Sequence, residues 1–331
     1  MSEDVWADSD TTPDAIEAAL RGLLRERHAA DVAIAPARVL NLIVIVDRSW
    51  KGEIANRLER VGRYHASRTI LCAVEEGRDT LDAVAVMSYA ESPGSELTVA
   101  HERVEIDIGP EHLARLDTIV DPVLVSDLQT MLWVPHGHHG VADILMPMLD
   151  VILLDSEDEE ELGAGLERAA GCVPTVYVVD LAWLRTTPWR ERLAASFDPP
   201  DRRVALEELE AITIRHKPSS RASAALLVGW LASRLRWNGE RPKIELTAVE
   251  QDAPGLAGVT VSWCDGCSLS LDRDRGGLRA RELGPGGEER VWKVLGASRG
   301  EGGILGEGVR QALLRDPTYG PALDAAREFC A

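Results

Sequence analysis

The sequence predicts an α/β protein in two parts. Residues 1–200 read as a mostly parallel α/β layer domain led by an N-terminal helix. Residues 201–331 read as an α+β domain with antiparallel strands and a buried helix. Three observations carry this division. Nearly continuous apolar runs of strand length alternate with polar helical stretches up to about residue 200, the pattern of a sheet covered on both faces. The composition then changes at Asp198-Pro199-Pro200-Asp201. Beyond that point strands are grouped together, and the stretch AALLVGWLA is apolar nearly all round, as a buried helix must be.

Taken in order, Thr12-Pro13-Asp14 opens a helix, with proline in the first turn and an acid at the positive end of the dipole. Ile16, Leu20, Leu23 and Leu24 follow at helical spacing. RVLNLIVIVD (38–47) is a strand, a helix follows over 52–61, and TILCAVE (69–75) is the next strand. Strands over 81–89 and 97–108 flank the turn-rich ESPGS, and 110–117 is a helix. The short strand 129–134 leads into PHGHHG, and VILLD (151–155) is another strand. Ser156 to Glu159 matches a capping box that would open a helix. TVYVVD (175–180) is the last strand of the first part. The second part reads as a strand over 212–216, a long helix over 220–237, four strands near 243–249, 258–264, 267–272 and 277–283, and helices near 303–314 and 319–329. Gly229 inside the long helix costs about 1 kcal/mol against alanine, a choice that a close helix–sheet approach would explain.

Composition narrows the function. The net charge of −19 repels phosphate backbones and anionic lipid, so neither nucleic acid nor membrane is expected as a partner. No run of 18 apolar residues occurs, and MSEDVWADSD lacks the layout of a signal peptide, which points to the cytoplasm. Five widely spread cysteines, Cys72, Cys172, Cys264, Cys267 and Cys330, suggest free thiols. Nine tryptophans against two phenylalanines are unusual; tryptophan serves both cores and protein–protein hot spots.

Several motifs invite a chemical reading. Trp263-Cys264-Asp265-Gly266-Cys267 superficially resembles a redox motif, but its flanks alternate. A three-residue hairpin loop with Gly266 left-handed sets Trp263 opposite Cys267, Val261 opposite Leu269 and Val259 opposite Leu271, all on one face. That favours a structural Cys267 over redox or zinc chemistry, which would need two more ligands. His136, His138 and His139 follow a buried strand, where α/β folds bind ligands, yet complete no metal spacing. In Arg63-Tyr64-His65-Ala66-Ser67-Arg68 the cations either dock an anion or partner or face the negative end of a helix dipole. No G-x-G-x-x-G follows the first strand, and no P-loop or nucleophile elbow appears. No cofactor, metal ligand or catalytic residue is therefore expected.

The densest stretch is DLAWLRTTPWRERLAASFD (180–198). Thr187 can cap a helix whose first residue is Pro188. Trp189, Leu193 and Phe197 then share one inward face, and Trp183 and Arg185 stand before the turn. A neutral Trp/Arg patch in an acidic chain describes a binding hot spot and a well-packed corner equally well.

This stretch closely resembles the Asp-Leu-x-Trp-x-Arg-x-Thr-Pro-Trp-Arg signature of the OpcA family, the glucose-6-phosphate dehydrogenase assembly proteins. VLNLIVIVD (39–47), the His65-x-x-Arg68 pair, MLW ending at Trp133, LLDS (153–156) and LLVGWLASRL (226–235) agree in order. Ala66 stands where the family often has proline, and Val134 where it often has a second tryptophan. The resemblance implies a non-catalytic allosteric activator of glucose-6-phosphate dehydrogenase that supports NADPH production by the oxidative pentose phosphate pathway. It singles out Trp183, Arg185, Thr187, Pro188, Trp189, Arg190, His65, Arg68 and Trp133. The alternative is a small-ligand or enzymatic α/β protein with its site at the strand carboxyl ends, using Asp47, His136, Asp155 and Arg185.

Overall fold

The apolar run that opens the first sheet is buried along all but its last residue, which a strand achieves only with both faces covered. The computed structural model describes all residues except 1, 31–33, 37, 63–66, 92–97, 236–241, 252–254, 264–265, 276, 295–300 and 331. In chain order the first elements are β1 (Ser2–Asp8), α1 (Pro13–Ala30), β2 (Ile34–Pro36), β3 (Leu40–Asp47), α2 (Lys51–Gly62), β4 (Ser67–Val74), β5 (Asp82–Glu91), β6 (Thr98–Ile108), α3 (Leu116–Val120), β7 (Thr130–Trp133), α4 (Val141–Leu145), β8 (Val151–Leu154), α5 (Leu162–Cys172) and β9 (Tyr177–Asp180). Then come α6 (Leu181–Arg185), α7 (Thr187–Ser196), α8 (Pro200–Arg203), β10 (Leu209–His216), α9 (Arg221–Leu235), β11 (Lys243–Ala248), β12 (Leu256–Trp263), β13 (Cys267–Asp274), β14 (Gly277–Leu283), β15 (Glu289–Val294), α10 (Glu301–Gln311) and α11 (Tyr319–Cys330).

Two compact units result. The first comprises Met1–Leu154, Val176–Val179 and Val309–Leu313, the second Asp155–Thr175, Asp180–Gly308 and Leu314–Ala331. In the first, the sheet runs β1-β5-β6-β4-β3-β7-β8-β9, with β2 on β6. The pairs β3/β4, β4/β6, β3/β7, β7/β8 and β2/β6 are parallel. Among the described pairs, β5 against β6 and β1 against β5 are antiparallel. The chain lays β3, β4 and β6 outward on one side, then returns to place β7, β8 and β9 on the other. That is the strand order of a doubly wound sheet, reversing between β3 and β7. Ile43, Ile45, Ile70, Cys72, Ile106 and Leu132 lie in its core. Burial pushes the Cys72 thiol up to about 12, so it stays a small apolar filler.

The second unit's sheet runs β11-β10-β12-β13-β14-β15. All its pairs are antiparallel except β10/β11. Trp263 pairs with Cys267, Val261 with Leu269 and Val259 with Leu271, as the hairpin argument required. Gly266 has φ +78°, while Cys264 and Asp265 at the tip lie outside the described residues. The α/β unit with its mostly parallel sheet and the mostly antiparallel second sheet with its buried helix match the fold class read from the sequence. Among the described residues no helix is long and apolar enough to cross a membrane.

Several elements differ from expectation. β1 and β15 were not anticipated. Both are charged sequences, SEDVWAD and ERVWKV, at sheet edges, where a strand needs little apolar signal and charges guard the edge. Residues 110–117 are not one α-helix; a 3-10 turn over Pro110–Arg115 precedes the short α3. The capping box at Ser156 opens no helix, because α5 begins only at Leu162 and the Ser156 hydroxyl is taken by Asp180. Gly229 does serve a close approach, but to a helix rather than the sheet. A Cβ there would lie 2.0 Å from the Ala322 carbonyl oxygen and 2.8 Å from the Ala326 nitrogen of α11.

This geometry sets opposite signs for two glycine substitutions. Gly229→Ala is expected to lower the unfolding free energy by about 1–3 kcal/mol through overpacking. Gly22→Ala, in α1 with open space where the Cβ would go, is expected to raise it by about 0.5–1 kcal/mol. Urea melts of the two variants check the pair.

Candidate functional site

Asp180 ends β9 with a side chain only 1% exposed. Its Oδ1 accepts from the Ala182 amide at 2.9 Å, capping α6, and from the Ser156 amide at 3.1 Å. Its Oδ2 accepts from the Ser156 hydroxyl at 2.7 Å and the Tyr319 hydroxyl at 3.0 Å. Burial, then the nearby Asp155 charge, raise its pKa; the hydrogen bonds oppose them. The four donors are what makes a buried carboxylate tolerable.

Arg185 ends α6 and meets Asp155 as a bidentate fork, Nη1 to Oδ1 at 2.8 Å and Nη2 to Oδ2 at 2.7 Å. Its Nη1 also reaches Glu157 at 3.2 Å. Glu157 accepts from the Ser223 amide at 3.1 Å and lies 2.5 Å from the Ser223 hydroxyl oxygen. The Ser223 hydroxyl in turn sits 3.0 Å from the Ala182 carbonyl. Its one hydroxyl proton goes to Glu157 Oε1 and is shared with the Ala182 carbonyl. Burial, the largest cause, together with the Asp155 charge, pushes the Glu157 carboxyl up to about 7 against the opposing pull of Arg185 and Ser223.

The tryptophans divide. Trp189 is buried with Leu193, Phe197, Ile212 and Leu227 in the second unit's core. Trp183 is buried too, its indole Nε1 donating to Asp316 Oδ2 at 2.9 Å. The Arg190 guanidinium lies 3.5 Å from the centroid of the Trp183 ring. Arg190 also donates to the Thr186 hydroxyl at 2.9 Å and the Thr187 hydroxyl at 3.0 Å. Burial lowers the Arg190 pKa to about 10, with Asp316 and Glu191 opposing. The N-cap of α7 is Thr186 rather than Thr187, and its hydroxyl bonds the Trp183 carbonyl at 2.7 Å instead of capping. Thr187 and Pro188 are half-buried, and the Arg190 side chain is 12% exposed.

The other singled-out residues lie in the first unit. Arg68 is the second residue of β4, not a helix terminus. It is 2% exposed and donates to Glu102, Glu17 and the Val123 carbonyl at 2.7–2.8 Å. Arg38 holds the same Glu102. Trp133 ends β7, buried under the Arg57 guanidinium. His65 lies outside the described residues. Of the strand-end set, Asp47 pairs with His138 rather than His136, and His136 stacks on Trp50. Among the described residues no group of three or more His, Cys, Asp or Glu could hold a metal.

Sequence reasoning missed Glu157, Ser223, Asp316 and Tyr319. The acidic run DSEDEE hinted at the first. Nothing local could reveal Asp316, which meets Trp183 across 133 residues.

Two family models match in chain order. One, described as the glucose-6-phosphate dehydrogenase subunit N-terminal domain, covers residues 58–171; the other, its C-terminal domain, covers 176–323. Curated relatives named OxPP cycle protein OpcA share 32% identity over 132 residues in Synechocystis sp. and 33% over 129 in Nostoc punctiforme. A third, from Synechococcus elongatus, shares 27% over 172. These alignments cover 38%, 38% and 50% of this chain and only 27%, 28% and 39% of the relatives. A solved Bacteroides fragilis structure described as an oxidoreductase covers 88% of this chain and 95% of its own, at 9% identity and a TM-score of 0.38. That likeness is too low to carry a fold or an activity across.

Breaking a buried ion pair from one side strands the other charge, so Arg185→Ala is expected to cost about 3–5 kcal/mol in a denaturant melt. Glu157 carries a pH signature. Its folded pKa lies above its ordinary value of 4.5, so the folded state binds more protons and stability falls as pH rises from 4.5 towards about 7. Glu157→Gln is expected to gain on the wild type in melting temperature over that window. A constant difference between the two melting curves would contradict the raised pKa of Glu157.

Proposed function

We propose, from the premise that the chain belongs to the OpcA family of glucose-6-phosphate dehydrogenase subunits, that it acts in the oxidative pentose phosphate cycle as a non-catalytic partner of that dehydrogenase. On this reading it binds the assembled, active form more tightly than the inactive one and so shifts the population towards it. NADPH production rises as a consequence. The reading places the protein in the cytoplasm with its partner.

The observation that supports this best is the pair of domain models matched in order over residues 58–171 and 176–323. The form of the signature agrees with it. Its ionisable side chains are engaged inside the protein: Arg185 by Asp155, Asp180 by Ser156 and Tyr319, Arg190 by Trp183 and Asp316. Such a corner shapes a surface. Trp183, Arg185, Trp189 and Arg190 would maintain that surface, and Thr187 and Pro188 would lie at its edge towards the partner. Arg68 and Trp133 would have the same supporting role in the first unit, and His65 would join the contact residues.

Mixing the purified chain with glucose-6-phosphate dehydrogenase from the same source tests this. Light scattering should show a stoichiometric complex, and the enzyme's kcat should rise or its KM fall. Arg190→Gln, with an unchanged circular dichroism spectrum as the check on folding, should weaken the complex at least several-fold. No complex and no kinetic change at any concentration would refute the reading.

A further inference from the structure

In the first unit the strand order reverses between β3 and β7. Between strands that diverge in this way, a doubly wound sheet opens a crevice at the strand carboxyl ends, and ligands bind there. Asp47 ends β3, and the loop 134–140 follows β7.

Three features gather at this place. His136, Gly137 and His138 have successive φ values of +62°, +104° and +53°. Two of the three are not glycine, so the backbone holds a costly conformation that its surroundings must enforce. The conformation aims both imidazoles. His138 Nε2 lies 2.7 Å from Asp47 Oδ1, and the His136 ring stacks on Trp50 with centroids 4.2 Å apart and planes 16° from parallel. The resulting pair of groups is open to solvent: the Asp47 side chain is 50% exposed and Trp50 is 39% exposed.

The surroundings select the ligand. The turn after β3 is Asp47-Arg48-Ser49-Trp50, with no glycine-rich cradle for phosphate. Its cations are already engaged. Lys51 Nζ sits 2.7 Å from Asp107 and 3.1 Å from Glu105. Arg48 lies 3.9 Å from both Glu75 and Asp107. What the described residues leave open is the half-exposed carboxylate of Asp47, held by His138, and the partly exposed ring of Trp50, stacked on His136 two residues away from His138. Adjacent hydroxyls of a ring donate to such a carboxylate, while the ring's C–H face covers the indole and sheds water from both.

We propose that this crevice binds a neutral, polyhydroxylated ring, a sugar, with its C–H face on Trp50 and two hydroxyls on Asp47. His138 fixes the carboxylate and His136 backs the indole. This site is separate from the Trp/Arg corner and does not rest on the partner reading.

Saturation-transfer NMR on the full chain with glucose, glucose 6-phosphate and glucosamine as probes tests the proposal. Glucose should receive saturation at its ring protons from aromatic resonances. Trp50→Ala and Asp47→Ala should each reduce the affinity at least tenfold while keeping the wild-type circular dichroism spectrum. His138→Ala should weaken binding without changing which sugar protons respond, and His138→Gln should restore it. No transfer to glucose, transfer undiminished in both the Trp50 and Asp47 variants, or tighter binding of the phosphate or the amine would overturn the proposal.

Discussion

A single buried carboxylate organises the second unit. Among the described residues Asp180 pairs with no cation; four neutral donors satisfy it, two from Ser156, one from the first turn of α6 and one from Tyr319 on α11. These donors come from three separate stretches of chain, so the carboxylate is a joint rather than a surface charge. Removing any donor leaves part of a buried anion unsatisfied, and that penalty is larger than the value of the bond itself. The direction of α6, and with it the placement of Trp183 and Arg185, follows from where the Asp180 carboxylate can cap the helix.

The tryptophans and arginines of the 180–198 stretch then have mechanical reasons to be there. Trp189 fills the core between α7 and the sheet. Trp183 is held by a hydrogen bond at its edge and a guanidinium over its face. Lysine in place of Arg190 could not lie flat on an indole while its nitrogens served two threonine hydroxyls. Arginine at 185 matches the planar carboxylate of Asp155 with a fork. Costly residues cluster there because α6, α7 and the segment around Asp316 meet at one corner.

The sequence revealed what depends on near neighbours. Apolar runs marked β3, β4, β7 and β8, and alternation alone set the register of the β12/β13 hairpin. The inward face of Trp189, Leu193 and Phe197 was equally plain. Features settled by distant contacts were hidden. Ser156 looked like a helix cap but bonds Asp180, 24 residues away. Gly229 was seen to need a close neighbour, yet nothing nearby named α11 as that neighbour. Arg68 read as an anion holder or a dipole partner, while Glu17 and Glu102 on other elements had already claimed it. Of the strand-end quartet, Asp155 and Arg185 pair with each other, while Asp47 pairs with His138.

The bond between Tyr319 and Asp180 spans 139 residues, and that separation has a consequence for synthesis in the cell. A ribosome adds about 5–20 residues per second, so roughly 7–30 seconds pass between the two residues. Throughout that interval Asp180 lacks its tyrosine, and until residues 316–330 have been made Trp183 lacks Asp316 and Gly229 lacks α11. The joint at Asp180 and the seat at Gly229 are therefore closed only after α11 has been made, so this corner is completed last.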